Sequence, residues 1–149
     1  MPSNAQKVID ACNLHWAANQ GDCNKFAKAV AQELRVTIPP GADADGIIDF
    51  LSRDAAWTQL TLGSGTAAKA AADAGKFVLG GMRSTEHNPV RPHGHVLVVL
   101  SGPLDPAHQK YARASWGSLG GGAKQDSFVN FSFNSADRDR VRYFSRDLP

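Results

Sequence analysis

Apolar residues in the first half of the chain recur at helical intervals. Cys23, Phe26, Ala27, Val30, Ala31 and Leu34 fall at i, i+3, i+4, i+7, i+8 and i+11, one face of a helix predicted from Cys23 to about Leu34. Before it, Val8, Ile9, Cys12 and Trp16 lie near one stripe of a helix predicted from about Ala5 to Ala18, ended by Asn19-Gln20-Gly21. Pro39, Pro40 and Gly41 stop any extension past Val36. A third helix is predicted over Ala44 to Arg53, with Ile47, Ile48 and Leu51 inward, and an alanine-rich fourth begins at Thr66 and closes at Gly75.

After Gly75 the period shortens. Lys76 to Met82 and Gly94 to Ser101 read as strands, the second fully buried, with Tyr111 to Ser118, Phe128 to Phe133 and Arg140 to Ser145 as further strands. Arg83 to Pro92 is a polar loop, and Gly120-Gly121-Gly122 a turn rather than a phosphate loop, which would need a Lys-Ser/Thr ending. Helices first and strands afterwards favour an α+β fold over a doubly wound parallel sheet. No internal repeat is visible, and 149 residues suit one domain, 1–149.

Composition narrows the function classes. Apolar content of 42% fits a globular chain, and a net charge of +2 gives no bulk attraction for nucleic acid. The two cysteines, Cys12 and Cys23, do not make a disulfide scaffold. The N-terminal residues lack the apolar run of a secretory signal, and no run of 18 apolar residues occurs. The expectation is a chain made in the cytoplasm, without a membrane span, whose export would use another route.

Two stretches carry candidate chemistry. Asp22 is a good N-cap, so Cys23 sits at the first helical position, where unpaired amides and the helix dipole favour a thiolate and can hold an oxyanion. The competing reading is a small buried hydrophobe on an apolar helix face. Far downstream, His93-Gly94-His95 opens the most apolar strand, and His95 at its mouth could take the Cys23 proton and return it to a leaving amine. His93, before the glycine, is the weaker base. A metal cluster drawn from Cys23, His87, His93, His95 and Asp105 is the chemical competitor, but it lacks metallopeptidase spacing. Trp16, Trp57 and Trp116 read as core or rim residues, the first and last also as groove walls. The Asp137 to Arg142 run reads as a solvated helix start, and Arg83 and Arg91 as contacts for substrate carboxylates.

Asp22-Cys23 opening a helix, followed by a Gly94-His95-Val96 strand, resembles the NlpC-type branch of papain-like peptidoglycan peptidases. The likeness is closer to the type VI secretion amidase effectors. It runs through Asp22-Cys23 with Phe26, Gly94 to Leu104, Gln109-Lys110-Tyr111, Trp116-Gly117-Ser118 and Asp137-Arg138-Asp139-Arg140. This implies N-terminal helices carrying the cysteine, packed on a mostly antiparallel sheet carrying the histidine. It implies a cysteine amidase that cuts a peptidoglycan stem peptide, between D-glutamate and meso-diaminopimelate, through a thioester. Cys23 would be the nucleophile, His95 the general base and acid, and the Cys23 amide an oxyanion donor, with Asp22, Trp16, Arg91 and His93 as substrate contacts. The resemblance calls for no cofactor or metal. It further implies a monomer injected into the periplasm of a target bacterium and an immunity protein covering the groove. The family's polar third residue is missing: Tyr111 to Ser118 holds no His, Asn or Gln, so either Ser115 or the Trp116 backbone carbonyl, the first choice, would orient the imidazole. Two alternatives stay open: a papain-like acyltransferase or deamidase acting on a protein, and a non-catalytic stem-peptide-binding domain.

Overall fold

The structure, a computed structural model, describes residues 2–149. Among the described residues four helices each begin at a side chain that caps free amides. Ser3 accepts from Gln6 N–H at 3.1 Å to start α1 (Asn4–Asn19). Asp22 accepts from Asn24 N–H at 3.0 Å to start α2 (Cys23–Glu33), and Asp43 from Gly46 N–H at 2.8 Å to start α3 (Ala44–Arg53). Ser64 does the same for α4 (Gly65–Asp73), reaching Ala67 N–H at 3.1 Å.

The strands are β1 (Thr58–Gln59), β2 (Phe77–Met82), β3 (His95–Val99), β4 (Arg113–Trp116), β5 (Lys124–Phe128) and β6 (Arg142–Arg146). They form one antiparallel sheet in the order β1-β6-β2-β3-β4-β5. The fold is α+β. Register places His95 opposite Met82, at the open end of the β2–β3 pair.

Strand alternation splits the interior. Val96 and Val98 join Phe77, Leu79 and Phe144 against buried residues of α1, α2 and α3. Leu97 and Val99 join Val78, Trp116 and Tyr143 on the other face, with Ala68 and Ala72 of α4. Burying each such valine or leucine contributes about 1.5–3 kcal/mol, so β3, covered on both faces, is a firm base for the histidine at its start.

One strand lies elsewhere than its alternation suggests. The predicted strand Phe128 to Phe133 is instead the end of β5 followed by a 3-10 turn over Val129–Phe131. Val129 and Phe133 are buried because they are four apart on a turn, whereas β5 proper is a polar edge strand with Lys124, Gln125 and Asp126 exposed. No helix among the described residues is long and apolar enough to cross a membrane.

Candidate functional site

Cys23 is the first residue of α2 and is buried, 7% exposed. The turn that presents it is clamped by the far end of β4. Ser118 N–H donates to the Gln20 carbonyl at 2.9 Å. A Cβ on Gly117 would stand 2.5 Å from the Asp22 carbonyl oxygen and 2.6 Å from that of Asn19, so only glycine permits this approach. Trp16, half-buried on α1, adds a third tie by donating its indole N–H to the Trp116 carbonyl at 3.1 Å.

His95 stands at the start of β3. Gly94 before it lies against α3, where a Cβ would meet Asp45 Oδ1 at 2.2 Å and the Met82 carbonyl at 2.9 Å. Asp45 in turn accepts from Ser84 N–H at 2.8 Å and Ser84 Oγ at 2.7 Å, which ties the Arg83–Pro92 loop to α3. Cys23 and His95 line one cleft of about 110 Å³, together with Arg91, Pro92, His93, Gly94, Ser118 and Leu119. An adjoining recess of about 60 Å³ adds Asp22, Asn24, Asp43 and Asp45. Larger grooves of about 420 and 600 Å³ lie along the outer sides of α1 and α2 and contain neither residue.

The electrostatics differ from the expectation of a thiolate. Burial pushes the Cys23 thiol up from its ordinary value; the amides of Val96, Asn24 and Cys23 pull it down, while the Asp22 carboxylate pushes it up again. Desolvation outweighs the helix terminus. Burial, the Arg91 guanidinium and His87 push the His95 imidazole down to about 3. Both shifts favour the neutral forms, thiol and imidazole, over a thiolate–imidazolium pair.

The imidazole's partner is not the one the sequence suggested. Trp116 is buried and its carbonyl takes the Trp16 indole, while its own indole donates to the Gly122 carbonyl at 3.0 Å. Ser115, opposite Val98, lies fully buried with its hydroxyl accepting from Asp126 N–H at 2.7 Å. The His95 hydrogen bond goes instead to Ser132, with 2.5 Å between Nε2 and Oγ. Phe133 meets the imidazole edge-on, ring centroids 5.2 Å apart, and stacks with His87 at 5.8 Å.

Behind that stack lies a second buried pair. His87 Nδ1 is 2.9 Å from Asp137 Oδ2, and Asp137 Oδ1 accepts from Asn88 N–H at 2.8 Å and the Arg140 guanidinium at 2.7 Å. Burial alone raises the Asp137 carboxyl, but Asn88, His87 and Arg140 together hold it below the usual range. The Asp137 to Arg142 run is thus anchored through a buried carboxylate rather than solvated throughout. Of the remaining candidates, Asp22 is occupied as the helix cap, Arg91 and His93 stand exposed on the rim of the cleft, and Trp57 packs on Phe77. Asp105 spends its carboxylate on the amides of His108, Lys110 and Tyr111, and no three metal-ligating side chains gather among the described residues.

The chain matches no family model. It is 35% identical, over 158 aligned positions, to the peptidoglycan amidase Tse1 of Pseudomonas aeruginosa; the match covers 99% of this chain and 94% of that protein.

Proposed function

The chain belongs to the family of the peptidoglycan amidase Tse1, and from that premise we propose that it is a hydrolase that opens an amide bond of peptidoglycan with Cys23 and His95. The single observation that carries the reading is the shared cleft, lined by both a helix-capped cysteine and a strand-opening histidine in a chain of this kinship. Residues 1–149 act as one catalytic domain of papain-like, NlpC-type fold, without a cofactor and as a monomer.

Because thiol and imidazole both rest neutral, proton transfer belongs to the attack itself. His95 takes the thiol proton as Cys23 Sγ bonds to the amide carbon, and the carbonyl π electrons move to oxygen. The Cys23 backbone N–H, free at the first turn of α2, stabilises that oxyanion. Collapse expels the amine, which leaves with the proton from His95, and a thioester remains. Water, deprotonated by His95, then attacks the thioester carbon. The second collapse expels the Cys23 sulfur, which recovers its proton, and the acid product leaves.

The bond assigned is that between D-glutamate and meso-diaminopimelate. Arg91 and His93 on the rim offer cationic or donor groups to the carboxylates of the stem peptide, with Asp22 and Trp16 bordering the turn that carries Cys23. The protein acts as an antibacterial type VI secretion effector, delivered to the periplasm of a target cell, and a cognate immunity protein covers the cleft. Digestion of purified meso-diaminopimelate sacculi tests this, with fragments identified by mass. Stem peptides ending at a new D-glutamate carboxylate, together with fragments bearing a new diaminopimelate amine, are expected. Intact sacculi from folded, reduced protein would refute the substrate assignment.

A further inference from the structure

The geometry assigns Ser132 to the role of positioning residue for His95, supplied from the turn after β5 rather than from the strand beside the histidine. This rests on the reading of Cys23 and His95 as the reacting pair, and it fills the third role that the sequence left between Ser115 and Trp116.

The placement begins with local structure. Phe128-Val129-Asn130-Phe131-Ser132-Phe133 alternates like a strand, yet the chain turns at Val129, whose N–H donates to the Ala112 carbonyl at 2.9 Å. Ser132 N–H then closes on the Val129 carbonyl at 2.9 Å, and Phe133 N–H on the same oxygen at 3.3 Å. Val129 and Phe133 are buried on either side of the serine. Phe133 is itself held between His87 and His95. Both the backbone and the neighbouring ring thus fix where the Ser132 hydroxyl stands, and it stands 2.5 Å from His95 Nε2.

The chemistry follows from which nitrogen is engaged. With Nε2 turned to Ser132, Nδ1 is the nitrogen left to take the Cys23 proton. A neutral imidazole with a free Nδ1 lone pair carries its hydrogen on Nε2, so it donates and the serine oxygen accepts. When His95 becomes imidazolium, the same hydrogen bond acquires a charged donor and strengthens. An interaction that is stronger in the transition state than in the free enzyme raises kcat rather than lowering KM. A hydroxyl provides this without a fixed negative charge. The titratable or charged groups around His95 are Cys23 and His93, which line the same cleft, and Arg91 and His87 of the preceding loop. Val129 to Asn134 brings no charged side chain at all.

The test compares kcat, KM and the pH profile of sacculus digestion for the wild type, Ser132→Ala, Ser132→Thr and Ser132→Asp, with Cys23→Ala alongside. Thermal melting establishes that each is folded. Loss of a hydrogen bond to a charged group predicts a kcat about 10-fold or more lower for Ser132→Ala, with KM within about 2-fold. Ser132→Thr, which keeps the hydroxyl, restores most of the rate. Ser132→Asp places the first carboxylate against the imidazole, and the acid limb of kcat/KM moves to higher pH by about one unit. A merely structural role leaves that limb in place. If Ser132→Ala does not fold, the Thr and Asp variants decide the matter alone. Wild-type kcat in Ser132→Ala, or an unmoved acid limb in a folded Ser132→Asp, overturns the assignment while a dead Cys23→Ala leaves the amidase reading standing. A Cys23→Ala enzyme that works while Ser132→Ala is dead overturns both and makes the serine the nucleophile.

Discussion

Replacing Asp22 with asparagine separates the two things that residue does. As the cap of α2 its side chain accepts from Asn24 N–H at 3.0 Å, and asparagine caps about as well as aspartate. As a charge it stands beside the forming Cys23 thiolate and pushes the thiol up. Asp22→Asn therefore keeps the helix start and removes only the repulsion. For a half-exposed carboxylate next to the thiol, that repulsion amounts to about 0.5–1 kcal/mol. Below the thiol pKa this multiplies the thiolate fraction about 2- to 5-fold. A less basic thiolate is also a weaker nucleophile, which offsets nearly half of the gain on a logarithmic scale. The net expectation is alkylation by iodoacetamide about 2-fold faster at pH 7.5, read by mass spectrometry on Cys23 without substrate. Cys12, fully buried with its thiol pushed far up by desolvation, serves as the silent control. In both proteins the rate keeps climbing with pH past the range where an ordinary thiol levels off, because burial raises the thiol. An unchanged or slower rate in a variant with wild-type melting would refute the charge argument. A rate already on its plateau at pH 7 would refute the thiol–imidazole resting state.

Three further outcomes follow from the packing. His95→Gln, which removes the base but keeps a polar side chain, should lower sacculus cleavage by about 10²–10⁴-fold while melting stays near wild type. Gly94→Ala should lose about 1–3 kcal/mol in thermal or denaturant unfolding, because the new methyl meets Asp45 Oδ1 and the Met82 carbonyl; wild-type stability would contradict the close approach. The Asp105 carboxyl is held down to about 2, although burial opposes this, by the Tyr111, His108 and Lys110 amides. A depressed pKa gives stability that is complete above the ordinary carboxylate value near 4 and is lost as pH falls towards about 2. Asp105→Asn should flatten the acid side of the stability curve over that window, and an unchanged slope would count against it.

What the sequence discloses depends on how local the cause is. Asp22 before its apolar stripe shows the start of α2 directly, and Ser3, Asp43 and Ser64 cap α1, α3 and α4 in the same local way. β2 and β3 are apolar on both faces and equally visible. β5 is not, since its exposed Lys-Gln-Asp carries no apolar alternation and the Phe residues after it imitate one. Cys23 and His95 could be named because each opens a regular element. Ser132 and the His87–Asp137 pair could not, because their contacts span 37 and 50 residues and exist only once the sheet has closed. The helix start by itself favours a thiolate, and the burial that works against it becomes visible only in the packing.

The most direct test of the central claim is to digest meso-diaminopimelate peptidoglycan side by side with wild-type protein and Cys23→Ala, both folded and reduced, and to weigh the fragments. Fragments cut at the D-glutamate–diaminopimelate bond are expected with the wild type and none with Cys23→Ala. The same fragments at the wild-type rate from Cys23→Ala would contradict the claim.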